Sequence, residues 1–252
     1  MKLNIVPART GIQWVTLGIR TFVKQPLALA GLFFLYMAAV IIVAQIPYVG
    51  IFIGGLLVPA ATLGLMAASA EATKGRFPMP TVLLSAFRAG RQQARAMLVL
   101  GLIYTGGSVA ATALASLATG GQAPAGKEVD TATLLALALH TPLFLMFWHA
   151  PALVHWHGVS PVKSLFFSAV ACFRNFGAML VYGFLWLGVF LGAGTILGVI
   201  GGLIGGATMA RAVMMPTALL MAAMFSTSMY FTFRDSFVAT EGEDPQPPGE
   251  TP

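Results

Sequence analysis

The four histidines of this chain, His140, His149, His155 and His157, all fall inside one stretch, LHTPLFLMFWHAPALVHWHGVSPVKS, residues 139–164. Trp148, Trp156 and Pro151 share it, and no Lys, Arg, Asp or Glu occurs between His140 and Val162. An imidazole can ligate a metal, move a proton or hydrogen-bond a polar solute. Among lipid-compatible side chains it costs free energy, so it marks a candidate site. We take His140, Trp148, His149, Pro151 and His155 as the candidate substrate- or lipid-binding residues.

Metal chemistry fits this spacing poorly. On one helix His149 and His157 stand ~12 Å apart along the axis, and His155 and His157 point in divergent directions. Met214, Met221 and Met224 could be soft copper ligands, but methionine on an apolar helix is ordinarily a packing residue. The single cysteine, Cys172, excludes an internal disulfide and a CxxC cluster. There is no P-loop, no GxSxG elbow and no HExxH. No acid falls inside an apolar segment, which removes paired carboxylates. No catalytic residue, cofactor or metal is expected, and the chain reads as a non-enzyme.

The elements that position these residues are membrane helices. Of the 252 residues 58% are hydrophobic and only 9% charged, against roughly 25% charged in soluble domains. Segments of ~20 apolar residues span the hydrocarbon core as helices. Six are found, at about 27–49, 51–70, 96–118, 132–155, 178–200 and 212–233. The first apolar run begins too late and is too long for a signal peptide. Residues 1–237 form one polytopic domain.

Polar-striped segments precede the odd-numbered spans. Arg9, Gln13, Thr16, Arg20 and Lys24 recur opposite Ile12, Val15, Ile19 and Phe22. Ser85, Arg88, Gln92 and Arg95 recur opposite Val82, Leu83, Ala86 and Phe87. Ser164, Ser168 and Asn175 lie opposite Val162, Leu165, Phe166, Ala169 and Phe173. Each predicts an amphipathic helix in the membrane interface. The odd spans then open alike, with QPLALAGLFFLY, RAMLVLGLIYTG and GAMLVYGFLWLG, while the even spans share VPAATL, APALVH and MPTALL. The expected fold is therefore all-α integral membrane: six transmembrane helices as three parallel repeats, about 8–70, 80–155 and 160–233, each an interfacial amphipathic helix plus a helical hairpin. Two spans per unit make the repeats parallel, about an axis along the membrane normal. In the fifth span the glycines from Gly188 to Gly206 predict close helix packing, or a re-entrant backbone after Gly198.

Residues 1–234 carry fourteen bases against three acids, a net of +11, whereas residues 235–252 hold five acids and no base. The bases flank the spans, where anionic lipid headgroups attract them, so nucleic acid is not expected as a partner. With the N-terminus inside, twelve of the fourteen Lys and Arg are cytoplasmic and only Lys127 and Arg211 lie outside. This predicts both termini in the cytoplasm of a bacterial inner-membrane protein. The acidic, Pro-rich tail, 238–252, is expected to be disordered.

IVPARTGIQWVTLGIRTFVKQPLALAGLFFLYM, with the repeated hairpins and APALVHWHGVSPVKS, resembles a family of uncharacterised six-span inner-membrane proteins of beta-proteobacteria. The resemblance runs to about Phe237 and implies location and fold, with no substrate or catalytic residue to carry over. A threefold two-span repeat is also similar to mitochondrial carriers, but the residues after Pro59, Pro151 and Pro216 lack that family's charged gate pairs. Two functions stay open. One is a non-catalytic module binding membrane lipid, a membrane-protein partner or a second copy of itself. The other is a small permease whose solute passes near His140, Trp148 and His149.

The charge distribution sets a test. In a Cys172→Ala background, single cysteines placed at Gly121 and Thr208 should both react with an impermeant thiol reagent added from outside. Protection of either would overturn the orientation.

Overall fold

The longest helical run of the chain, Phe176–Ser236, has 61 residues. At 1.5 Å per residue it would extend about 92 Å if straight, roughly three times the hydrocarbon thickness of a bilayer. It reverses instead at Gly205 and Gly206, whose backbone leaves the helix (Gly206 at φ 67°, a conformation open to glycine). The arms 176–204 and 207–236 then run back along each other. Tyr182 Oη and Ser228 Oγ are 2.7 Å apart, and Trp186 Nε1 donates to the same hydroxyl at 3.1 Å.

The computed structural model describes residues 1–120 and 131–238. In order these form β1 (Lys2–Leu3), α1 (Thr10–Lys24), α2 (Pro26–Ala44), α3 (Gly50–Thr73), a 3-10 turn (Pro80–Leu84), α4 (Ser85–Arg88), α5 (Arg91–Ala118), α6 (Thr131–Phe147), α7 (Ala150–His157), α8 (Pro161–Arg174), α9 (Phe176–Ser236) and β2 (Phe237–Val238). Among the described residues five helical stretches are long and apolar enough to cross a membrane: α2, α3, α5, the α6–α7 pair and α9. The expected fifth and sixth segments are the two arms of α9. The predicted disordered tail, beyond Val238, lies outside the described residues, as does the 121–130 loop with Lys127.

Of the three amphipathic segments, the first forms the expected helix and the other two depart from expectation. α1 packs most extensively on α9, and its buried stripe is Gly11, Trp14, Val15, Gly18 and Phe22, with Ile12 half exposed. The glycines let the backbones meet: a Cβ on Gly11 would stand 2.8 Å from the Tyr182 nitrogen, and one on Gly18 would stand 2.8 Å from Ser228 Cα. Residues 80–95 do not form one helix. A 3-10 turn and the single turn of α4 are followed by Gly90, and Arg91, Gln92 and Arg95 already belong to α5. In α8 the small polar face points inward, with Ser164, Ser168 and Asn175 buried, while Val162, Phe166 and Phe173 are exposed. That polarity suits a helix whose outer face meets an apolar medium.

The glycines of α9 pack less than expected. At Gly201 the backbone of the second arm comes close, with Ala210 Cα 3.1 Å from an added Cβ, whereas Gly194 and Gly198 meet only the Met214 side chain. Gly188, Gly192 and Gly202 face open space.

The fourth span is also not continuous. α6 ends at Phe147, Trp148 and His149 form a turn, and α7 begins at Ala150. Residues on either side of this break therefore do not keep the ~100° per residue register of a single helix.

A core cluster of Leu63, Met97, Leu100, Phe147 and Val154 joins α3, α5, α6 and α7. Here Gly101 lies against the Leu56 backbone so closely that any Cβ would collide with the Leu56 carbonyl oxygen, whereas Gly106, one turn on, faces open space. Gly101→Leu should destabilise the protein by about 1–3 kcal/mol, the usual range for overpacking. Gly106→Leu should not. Thermal unfolding in detergent distinguishes them, and equal melting of both variants would refute the α3–α5 contact.

Candidate functional site

Pro151 has no N–H to return to the Phe147 carbonyl, so the fourth-span helix is weakened there from the sequence outward. The break settles two residues earlier, at Trp148–His149, because another helix supplies what the ladder lacks. Ser168 of α8 places its hydroxyl between the two groups that a continuous helix would pair: it accepts from the His149 N–H (2.9 Å) and donates to the Leu145 carbonyl (2.8 Å). A side chain inserted into the i→i−4 ladder is a recognised cause of a sharp bend. Cys172, one turn along α8, approaches the same carbonyl at 3.8 Å.

The bend turns two side chains toward α9. Trp148 Nε1 donates to Thr232 Oγ1 at 2.9 Å, and His149 Nε2 lies 3.3 Å from the same oxygen. Thr232 itself donates to the Met229 carbonyl (2.7 Å), so its oxygen must accept from both rings. This assigns the Nε2–H tautomer to His149 and leaves Nδ1 toward Cys172 Sγ, 4.0 Å away. Trp148, His149, Ser168, Cys172 and Thr232 are all buried. Aromatic rings close the surroundings: Phe144 and Tyr182 on Trp148, and Phe233 and Phe237 on His149. Burial pushes the Cys172 thiol up to about 12, so it is no thiolate nucleophile at neutral pH.

Of the five candidate residues, Trp148, His149 and Pro151 come together at this bend. The other two do not join them. His140 sits between α5 and α6, where Nδ1 donates to the Ala136 carbonyl at 2.8 Å and Nε2 accepts from Ser108 at 3.1 Å. His155 lies near the end of α7. Its carbonyl accepts from Gln93 (3.2 Å), and its ring borders a cleft with Glu71, Met79, Ser85 and Arg88. Among the described residues no three His, Cys, Asp or Glu side chains are placed to hold one metal ion.

Among the cavities bordering the described residues, three are relevant to binding. The His155 cleft measures about 440 Å³. An apolar groove of about 330 Å³ runs between α2, α3 and residues 80–87. A third hollow of about 440 Å³ lies between the start of α5 and residues 158–161. His140, Trp148 and His149 line none of the three.

Sequence reasoning passed over the residues that hold the chain ends to this region. β1 pairs antiparallel with β2, Lys2 opposite Val238 and Leu3 opposite Phe237. Asn175, between α8 and α9, accepts from the Val6 N–H (2.9 Å) and donates to the Asn4 carbonyl (3.1 Å). Trp14 Nε1 donates to Asp235 Oδ2 at 3.0 Å, and Arg234 pairs with the other oxygen at 2.7 Å. An asparagine between two helices and an acid ending a span were the available signals.

Ser168→Ala leaves the His149 N–H and the Leu145 carbonyl without their bridge, a loss of about 1–3 kcal/mol for buried backbone groups. Thr232→Val should cost a similar amount by orphaning the Trp148 indole. Thr16→Val, at an exposed hydroxyl bonded only to its own helix, should be nearly neutral. Thermal melting in detergent orders the three, and a neutral Ser168→Ala would remove the bridge from the account.

No family model and no solved structure matches the chain. A probable inner membrane protein of Burkholderia thailandensis is 37% identical over 265 aligned positions, covering 98% of this chain and 98% of the relative. With identity at that level across nearly the whole of both chains, and with its apolar helices, the protein belongs to the same family of inner-membrane proteins.

Proposed function

We propose that the protein is a non-catalytic inner-membrane module that binds lipid. In this reading the chain crosses the membrane six times, with the arms of α9 as the fifth and sixth crossings and both termini in the cytoplasm. The order of elements supports three parallel units: α1 with α2 and α3, the 80–88 segment with α5 and α6–α7, and α8 with the two arms of α9. The basic residues then gather at the cytoplasmic headgroups.

One observation carries the reading: the polar groups of His140, Trp148 and His149, the residues a solute path would use, are engaged inside the protein. The His149 backbone and ring, the Trp148 indole and both His140 nitrogens have protein partners. A permease built around them needs a wet path lined by the same groups, and a solute would have to displace those bonds. Buried polar groups that are fully partnered act in packing and in fixing a unique structure.

Purification with native lipid, followed by mass spectrometry, tests this on the wild type and on His149→Ala. The variant should melt at a lower temperature, by about 1–3 kcal/mol of lost buried hydrogen bonding, and should retain the lipid that copurifies with the wild type. Wild-type protein that releases all lipid while holding a soluble metabolite, lost in His149→Ala, would overturn the module in favour of transport.

A further inference from the structure

We infer that the cleft and the groove on either side of residues 79–88 together form a binding site for an anionic phospholipid, headgroup in the cleft and acyl chain in the groove. This deepens the lipid-binding reading above and rests on it.

The wall between the two hollows is amphipathic. Met79, Thr81, Val82, Ser85 and Arg88 face the cleft, while Pro80, Leu83, Leu84 and Phe87 face the groove. Across the groove stand Leu35, Val40, Val43, Gly54 and Leu57, so its lining is hydrocarbon apart from Tyr36. Both volumes fall within or near the roughly 300–1,000 Å³ of ligand-sized clefts.

The cleft holds polar groups that lack partners. Ser85 Oγ and His155 Nδ1 are buried atoms with no hydrogen-bond partner, and native structures rarely leave such groups unsatisfied without a reason. Arg88 forms no salt bridge among the described residues. Glu71, the acid of the cleft, is already engaged by Arg76, whose Nη2 donates to Oε1 at 2.7 Å. A hydroxyl, an imidazole and a guanidinium outside any salt bridge therefore line one cleft, and each can donate to a phosphodiester. Lys74, Arg76, Arg88, Arg91 and Arg95 against Glu71 alone, over residues 71–95, favour a headgroup with net negative charge. An apolar groove beside an anion-accepting cleft matches a phospholipid better than a soluble phosphate, which has nothing to place in the groove.

The test uses full-length, delipidated protein in detergent, titrated with phosphatidylglycerol or phosphatidylcholine of the same acyl chains and read by native mass spectrometry. Wild type should bind phosphatidylglycerol more tightly. Arg88→Gln should weaken phosphatidylglycerol about fivefold, the worth of one interfacial cation, and leave phosphatidylcholine unchanged. Gly54→Leu fills the groove from a position where an added Cβ meets no atom within 4 Å, and should weaken both lipids. If Gly54→Leu fails to fold, Arg88→Gln, at an exposed position, decides alone. Wild-type binding that neither variant alters would place the lipid elsewhere, overturning this site but not the proposed function. Failure of the wild type to bind either lipid would overturn both. Displacement by millimolar inorganic phosphate, with Gly54→Leu without effect, would overturn the acyl-chain half.

Discussion

One hydroxyl governs how this bundle closes. Ser168 stands in the hydrogen-bond ladder of the fourth span, and without it the His149 N–H and the Leu145 carbonyl would either pair and straighten the helix or remain unsatisfied. In an apolar surrounding, where no solvent relieves a broken backbone pair, that substitution is what makes a bend tolerable. With the ladder interrupted at this point, Trp148 and His149 reach Thr232 on α9, while α7 packs Leu153 and Ala152 with Met66 of α3 and Phe233 of α9. The bend thus links three helices that sequence separation would otherwise leave independent.

A second constraint acts at the chain ends. The N-terminal segment is laid across the start and finish of α9 by Asn175, the β1–β2 pair and the bond from Trp14 to Asp235. Trp14 is fully buried and meets Tyr182 edge to face, their centroids 6.0 Å apart, and Tyr182 meets Trp148 at the same distance. The N-terminal clasp and the fourth-span bend therefore share one aromatic core. A buried indole that spends its N–H on a carboxylate resolves the cost of both groups at once.

Much of the architecture was legible because it depends on local quantities. Apolar length located the membrane-compatible helices to within a few residues, and the interval between the last two apolar segments, 201–211, contains the Gly205–Gly206 reversal. What could not be read depends on partners distant in sequence. Pro151 announced weakness in the fourth span, but the break lies at Trp148–His149 because Ser168, nineteen residues later, is there to bridge it. The buried face of α1 was read correctly at Val15 and Phe22 but not at Ile12, which is exposed, and Gly11 and Gly18, whose lack of a side chain admits α9, carry no hydropathy to announce it. Grouping the histidines by proximity in sequence likewise overstated their unity: His140 serves the α5–α6 contact, His149 the bend, and His155 a cleft.

The central claim is that His149 is a dry, partnered packing residue at the bend and not the lining of a solute path. Water-edited solid-state NMR on histidine-labelled protein in bilayers addresses it directly. His155, beside an open cleft, should receive magnetisation from water quickly, while His149 should receive almost none and keep a single Nε2-protonated resonance. Rapid transfer to His149 would mean that water reaches the bend, and would contradict the account.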